Sequence, residues 1–372
     1  MKGGSVPWKW TAAITIGPRL MEHKTKQEEG RTMIWRNTVS ALAIAVAGSV
    51  GAGSAGAAEK VDFILNWIAG GDHAPYYFAQ KMGWYAKAGI DINIQQGRGS
   101  AMSSRRTGAG KNPIGLADLG TALVTMGKGA KMVAVMNIYA NSPYGMYWLK
   151  SSGIKGPKGF AGKKIGNPPW DAARQMWPAL AKKVGMDAKS VKWVNIQPNA
   201  KLAALKAKSI DGTTSFYNIH HIFKRQLGAD MGFFPWKKYG INPYGNSIIV
   251  NMEYLQKNRG VVAAFVKVTQ RAFQTCVKNP DPCVTALVEA NKGLKFANEK
   301  ENWGLVTELM SDKFSRSMAL GYFDPGRMKS DHALINTYFK VDTKFDIEKR
   351  YTNAFLDRSI KMPKINRKSA FE

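Results

Sequence analysis

The chain has 372 residues, 45% of them hydrophobic, with 54 Lys and Arg against 26 Asp and Glu. That length supplies two lobes with cores of their own, and no window after the first 58 residues approaches the roughly 18 uninterrupted apolar residues of a membrane span. The basic residues are scattered singly and in pairs such as Lys163-Lys164, Lys182-Lys183 and Lys237-Lys238, with no recognition motif, so the charge reads as a solvated surface and a nucleic-acid partner is not expected.

Met33 to Ala58 reads as a secretory signal. Arg36 supplies the positive start, Val39 to Ala47 an apolar stretch too short to span a bilayer, and Ala55-Gly56-Ala57-Ala58 the small-residue cleavage site. Residues 1–32 are polar and aperiodic, and translation from Met33 is the expected explanation; an unstructured extension is the alternative. No Cys follows the apolar stretch, so a freely diffusing exported protein is expected, with the periplasm as its compartment.

Val61 to Leu65 is a predicted strand ending in Asn66-Trp67 and the turn Gly70-Gly71. A helix follows from Pro75, capped by Asp72, carrying Tyr76 and Tyr77 and stopped by Gly83. A helical turn over Trp84 to Ala88 leads to a second strand, Ile90 to Gln95. Strand, helix and strand in this span form one parallel crossover unit, whose strand-end edge is where open α/β sheets bind ligands. The edge carries Asn66, Trp67, His73 and Tyr76.

This opening, a strand closing in Asn66-Trp67 followed by DHAPYYFAQKMGWYAKAGIDI, resembles that of the solute-binding proteins of ABC importers. More narrowly it is similar to the family that includes thiamine-pyrimidine-precursor, nitrate, and taurine or alkanesulfonate binders, to which fungal pyrimidine synthases are related. The resemblance runs from about Lys60 to the C-terminal helices. It implies a two-lobed periplasmic-binding-protein fold of type II, a small-molecule ligand in the cleft, permease and ATPase partners, a monomer, and no cofactor. In the family pattern the His of "DHA", here His73, points into the pocket.

Further along, Gln95-Gln96-Gly97-Arg98-Gly99-Ser100 is a glycine loop opening onto a helix from Ala101 to Thr107, where Gly99 and Ser100 suit an anion or a carbonyl. Ile114 to Asp118 is the third strand, with Asp118 at the start of the next helix, and Met132 to Tyr139 the fourth. Asn141-Ser142-Pro143 is the expected crossing into a second lobe, which spans residues 143–245. That lobe opens with the strand Tyr144 to Leu149, then GKKIG, the loop Asn167-Pro168-Pro169-Trp170 and Asp171 as helix cap. GKKIG before a helix resembles the family's second-lobe opening. Strands Val191 to Gln197 and Ile210 to Phe216 follow, the latter running into Tyr217-Asn218. The return crossing is expected at Tyr239 to Gly245. Residues 59–142 and 246–372 then form the first lobe, finishing in helices over Val261 to Cys276, Val284 to Asn291, Lys300 to Lys313, Asp331 to Phe339 and Glu348 to Ser359. Cys276 and Cys283 are expected to pair as a disulfide in an oxidising compartment, buried free thiols being the alternative.

Chemistry beyond binding finds no support. The five His (His23, His73, His220, His221, His332) form no HExxH, and no GxSxG, Walker A loop or post-strand GxGxxG occurs. The cysteine-rich motif of the fungal synthases is absent, so neither an enzyme nor a metal site is expected. Aromatic residues at strand ends, Trp67, Tyr76, Trp170, Phe216 and Tyr217, are the predicted faces for a flat ring, each stack contributing about 0.5–1.5 kcal/mol beyond buried area. Pro169, Trp170 and Asn218 are the expected second-lobe half of the pocket. Pyrimidine binders of the family commonly show Asp-Trp at the end of strand one and an acid after "YN". Asn66-Trp67 and Asn218-Ile219 stand here, which leaves a small organic anion as the alternative to a flat heterocycle.

Overall fold

The computed structural model describes residues 58–365, so the expected leader lies, Ala58 apart, outside the described residues. The described residues contain ten strands: β1 (Glu59–Ile64), β2 (Ile90–Gln95), β3 (Ile114–Asp118), β4 (Met132–Asn137), β5 (Tyr144–Leu149), β6 (Lys164–Gly166), β7 (Lys192–Val194), β8 (Gly212–Phe216), β9 (Met231–Pro235) and β10 (Asn246–Asn251). They form two five-stranded sheets, in the orders β2-β1-β3-β10-β4 and β7-β6-β8-β5-β9. β1 runs parallel to β2 and β3, whereas β10 returns antiparallel between β3 and β4. The chain leaves the first sheet after Asn137 and comes back to it at Asn246. Both connecting segments are tied together where the Ser142 amide donates to Asn242 Oδ1 at 2.8 Å.

Local chemistry accounts for most elements. Every residue of β3 and β4 is buried, as befits strands covered by helices on both faces. The helix Leu119–Met126 starts where the Thr121 amide donates to Asp118 Oδ1, and the helix Ala172–Lys183 where the Arg174 amide donates to Asp171 Oδ1. One expected helix, Glu348 to Ser359, is not formed beyond a single turn at Ile347–Lys349. Its backbone is used elsewhere: the Ala134 amide donates to the Arg350 carbonyl and the Thr352 amide to the Ala134 carbonyl. Arg350–Thr352 thereby covers the exposed edge of β4, a use of strand-edge groups that competes with helix formation.

The lobes touch closely. Gly99 has φ +136°, and a Cβ there would lie 2.1 Å from the Trp170 carbonyl oxygen, so only glycine allows the approach. The same carbonyl accepts the Ala101 amide. Beside it, the helices Leu119–Met126, Ala172–Lys183 and Pro325–Tyr338 bury Leu123, Met176, Trp177, Leu180, Met328 and Ile335 in one shared core. The Cys276–Cys283 disulfide is formed and links the end of the helix Arg259–Lys278 to the start of Pro280–Ala290, with both residues fully buried. Among the described residues no helix is long and apolar enough to cross a membrane, and no His, Cys, Asp and Glu group could hold a metal ion.

Candidate functional site

A cavity of about 300 Å³ lies where the ends of β1 and β8 meet the helix Phe296–Met310. From the first lobe Asn66, Trp67, Asp72 and Ser100 line it; from the second, Asp171, Lys201, Ser215, Phe216 and Asn218. The helix Phe296–Met310 closes it with Glu299 and Asn302.

The first-lobe wall is set by the turn after β1. The Gly70 amide donates to His73 Nδ1, which leaves the ring proton on Nε2 to donate to Asn66 Oδ1 at 2.9 Å. His73 is 0% exposed. Burial lowers its pKa more than neighbouring Asp72 raises it, so the ring is neutral. His73 therefore stands behind Asn66 and orients that amide. Asp72 Oδ2 accepts the Tyr139 hydroxyl at 3.2 Å. The Gly71 amide donates to Glu299 Oε2 at 2.6 Å, and a Cβ on Gly71 would come within 2.3 Å of the Glu299 carbonyl oxygen. Burial, reinforced by Asp72, pushes the Glu299 carboxyl up to about 7 against the lowering effect of that amide.

The second-lobe wall rests on a buried ion pair. Lys201, 4% exposed, donates through Nζ to Asp171 Oδ2 at 2.7 Å and to the Thr214 carbonyl at 2.9 Å, and lies 4.8 Å from the Trp67 ring centroid. The Lys201 ammonium thus bridges to an aromatic of the other lobe. Asn218 Nδ2 donates to Asn302 Oδ1 at 3.2 Å, another contact joining a second-lobe residue to the helix Phe296–Met310. Phe216, half-buried, packs beside Tyr139 and Tyr144.

Of the residues predicted from sequence, Asn66, Trp67, Ser100, Phe216 and Asn218 line the cavity. Tyr76 is packed instead in the first-lobe core, 5.0 Å from Phe63 and 5.3 Å from Phe273. Asp118 is fully buried, its Oδ1 accepting the Thr121 amide and the Thr121 and Tyr144 hydroxyls, and burial pushes its carboxyl up to about 6. Ser100 Oγ accepts the Asp118 amide. Gly99 makes the lobe contact described above. Trp170 lies under the Arg105 guanidinium, 4.7 Å from its ring centroid, and exposed Pro169 gives its carbonyl to Gln175. Tyr217 is buried, its ring 5.1 Å from that of His220. These seven, His73 included, do not line the cavity.

Sequence reasoning left out Glu299, Asn302 and Lys201, and read Asp72 and Asp171 as helix caps only. A signal existed for the first two: polar Glu299 and Asn302 lie three apart on the same helix face as buried Val306. Carboxylates reach the cavity from positions other than the end of strand one and the residue after "YN". Asp72, Asp171 and Glu299 all line the cavity, and among the described residues its only lining cation, Lys201, is already paired. The cavity of this basic chain is lined by more acids than bases.

Two α/β lobes closed around such a chamber define a periplasmic-binding-protein fold. Its likeness to the alkanesulfonate-binding protein SsuA from Xanthomonas axonopodis pv. citri, with a TM-score of 0.62 at 11% identity over 79% of this chain and 98% of that one, shows the same fold. Residues 71–282 match the NMT1/THI5 like family, and the chain belongs to it. Relatives include the formylaminopyrimidine-binding protein of Halalkalibacterium halodurans, 22% identical over 69% of this chain and 79% of that protein. Another is the 4-amino-5-hydroxymethyl-2-methylpyrimidine phosphate synthase of Legionella pneumophila, 23% identical over 80% of this chain and 92% of its own length.

Proposed function

We propose that this protein is the periplasmic solute-binding component of an ABC importer and captures a small, flat, amino-bearing heterocycle such as a thiamine pyrimidine precursor. The observation that carries the reading is the acidic, aromatic chamber. Asp72, Glu299, Asn66, Asn218 and Asn302 offer acceptors and donors for a ring edge, while Trp67 and Phe216 offer faces. The relative named for binding a formylaminopyrimidine supports the same class. An organic anion fits less well, because Lys201, the one cation in the wall, is held by Asp171.

In this reading the lobes divide at residues 142/143 and 245/246, each supplies part of the chamber, and ligand favours the closed state by touching both. The protein is exported through the leader at residues 33–58, acts as a monomer, and hands its solute to a permease with its ATPase. The test is calorimetric titration with 4-amino-5-hydroxymethyl-2-methylpyrimidine, an alkanesulfonate and nitrate in parallel. The aminopyrimidine is expected to bind at about micromolar Kd or tighter, and to be recovered unchanged by mass spectrometry. Tight binding of either anion alone would overturn the ligand class; chemical conversion of the pyrimidine would overturn the non-enzymatic role.

A further inference from the structure

The chamber is graded in an unusual direction. Among its polar lining residues Asn66, Asp72, Asn218, Glu299 and Asn302 are buried, each less than a tenth exposed, while Asn199 is exposed. Its branched aliphatic residues are more exposed: Ile68 is 38% exposed, and Leu202, Ile219, Ile222 and Leu294 are each partly exposed, whereas the lining residues Ala69, Ala172 and Phe223 are buried. Folding alone favours the reverse, apolar groups within and polar groups in water. The aliphatic rim also has separate origins, with Ile68 just past β1, Leu202 on the helix Lys201–Lys206, Leu294 before the helix Phe296–Met310, and Ile219 and Ile222 three apart at the helix His220–Leu227. These five residues, from separate elements, line the same cavity as the buried polar residues and do not form a separate surface patch.

We infer that the solute is amphipathic: a polar amino-bearing ring held by the buried floor, carrying an aliphatic or aryl arm that lies along Ile68, Leu202, Ile219, Ile222 and Leu294. This rests on the ring assignment proposed above and adds the class of substituent. An arm in that position would cover rim carbon that otherwise faces water. The volume of about 300 Å³ also falls at the start of the range that holds drug-sized ligands, about 300–1,000 Å³.

The probes are 4-amino-2-methylpyrimidines bearing hydroxymethyl, ethyl, propyl, butyl and hexyl groups at carbon 5, titrated calorimetrically into the full protein. Each methylene taken from water onto apolar wall should tighten binding about fourfold until the rim is covered. Ile222→Ser and, separately, Leu294→Ser should flatten that dependence on chain length, with unchanged far-ultraviolet circular dichroism showing that each variant folds. Binding of the hydroxymethyl compound with a flat or falling alkyl series would overturn the arm and leave the ring assignment standing. Absence of binding by every member would overturn both. A rising series that neither rim substitution flattens would also overturn the inference, because the arm would then lie elsewhere.

Discussion

Glu299 offers the sharpest handle on how the chamber reads its ligand. Its Oε2 accepts the Gly71 amide at 2.6 Å, and burial with Asp72 nearby raises its pKa to about 7. An amino group donating to the ionised carboxyl makes a charge-assisted hydrogen bond, about 1.5–3 kcal/mol, against about 0.5–1.5 kcal/mol for a neutral pair. Glu299→Gln keeps the shape and the Gly71 contact but removes the charge, so about 1–2 kcal/mol should be lost at pH 8.5, a five- to thirtyfold weaker Kd. Below the folded pKa of about 7 the wild-type carboxyl must first release a proton, at about 1.4 kcal/mol per pH unit. The advantage of wild type over Glu299→Gln should therefore shrink as pH falls and vanish near pH 5.5. Calorimetric titrations with 4-amino-5-hydroxymethyl-2-methylpyrimidine across that range give the ratio, and dividing one curve by the other removes the titration of the ligand itself. A ratio that stays constant with pH, or a glutamine variant that binds tighter at pH 8.5, would show that Glu299 does not accept from the solute.

Three further outcomes are expected. Lys201→Met leaves Asp171 buried without its partner and should lower stability in urea by about 3–5 kcal/mol, while Asp171→Asn/Lys201→Met recovers much of the loss; equal losses in both would mean the pair is not coupled. Cys276→Ala/Cys283→Ala opens a loop of sequence separation 7 and should lower stability by about 2–3 kcal/mol, and thiol titration of unfolded, unreduced wild type should find no free thiol. Asp331, pushed up to about 7 by burial, and Asp118, to about 6, hold their protons more tightly when folded. Their contribution is complete below pH 3.8 and is lost as pH rises through 6 to 7. Buried neutral His73 acts oppositely, its contribution being lost as pH falls below 6.5. Asp331→Asn should flatten the decline between about pH 4 and 7 in denaturant midpoints, and an unchanged slope would refute the assignment.

Much of the framework is written locally in the chain. The end of β1 at Asn66-Trp67, the caps Asp118 and Asp171, the Gly99 turn, the Cys276–Cys283 loop and the break at Asn141-Ser142-Pro143 all depend on neighbours within a few residues. Capping, glycine conformations and apolar periodicity act over that same range, and the family resemblance of the opening rests on it too. The chamber does not. Glu299 meets Gly71 across a sequence separation of 228, and Asn302 meets Asn218 across 84; nothing near Glu299 in sequence marks which turn its carboxyl will face. His73 shows the converse, because a histidine beginning a helix reads alike whether its ring points at ligand or, as here, holds Asn66. Glu348 to Ser359 reads as helix locally, yet the free edge of β4 claims the backbone of Arg350 and Thr352. Tertiary packing also decided which acids became cavity wall. Composition set a strongly basic chain, and only the folded arrangement gathers Asp72, Asp171 and Glu299 into the lining of one cavity, because their sequence separations are bridged by tertiary packing.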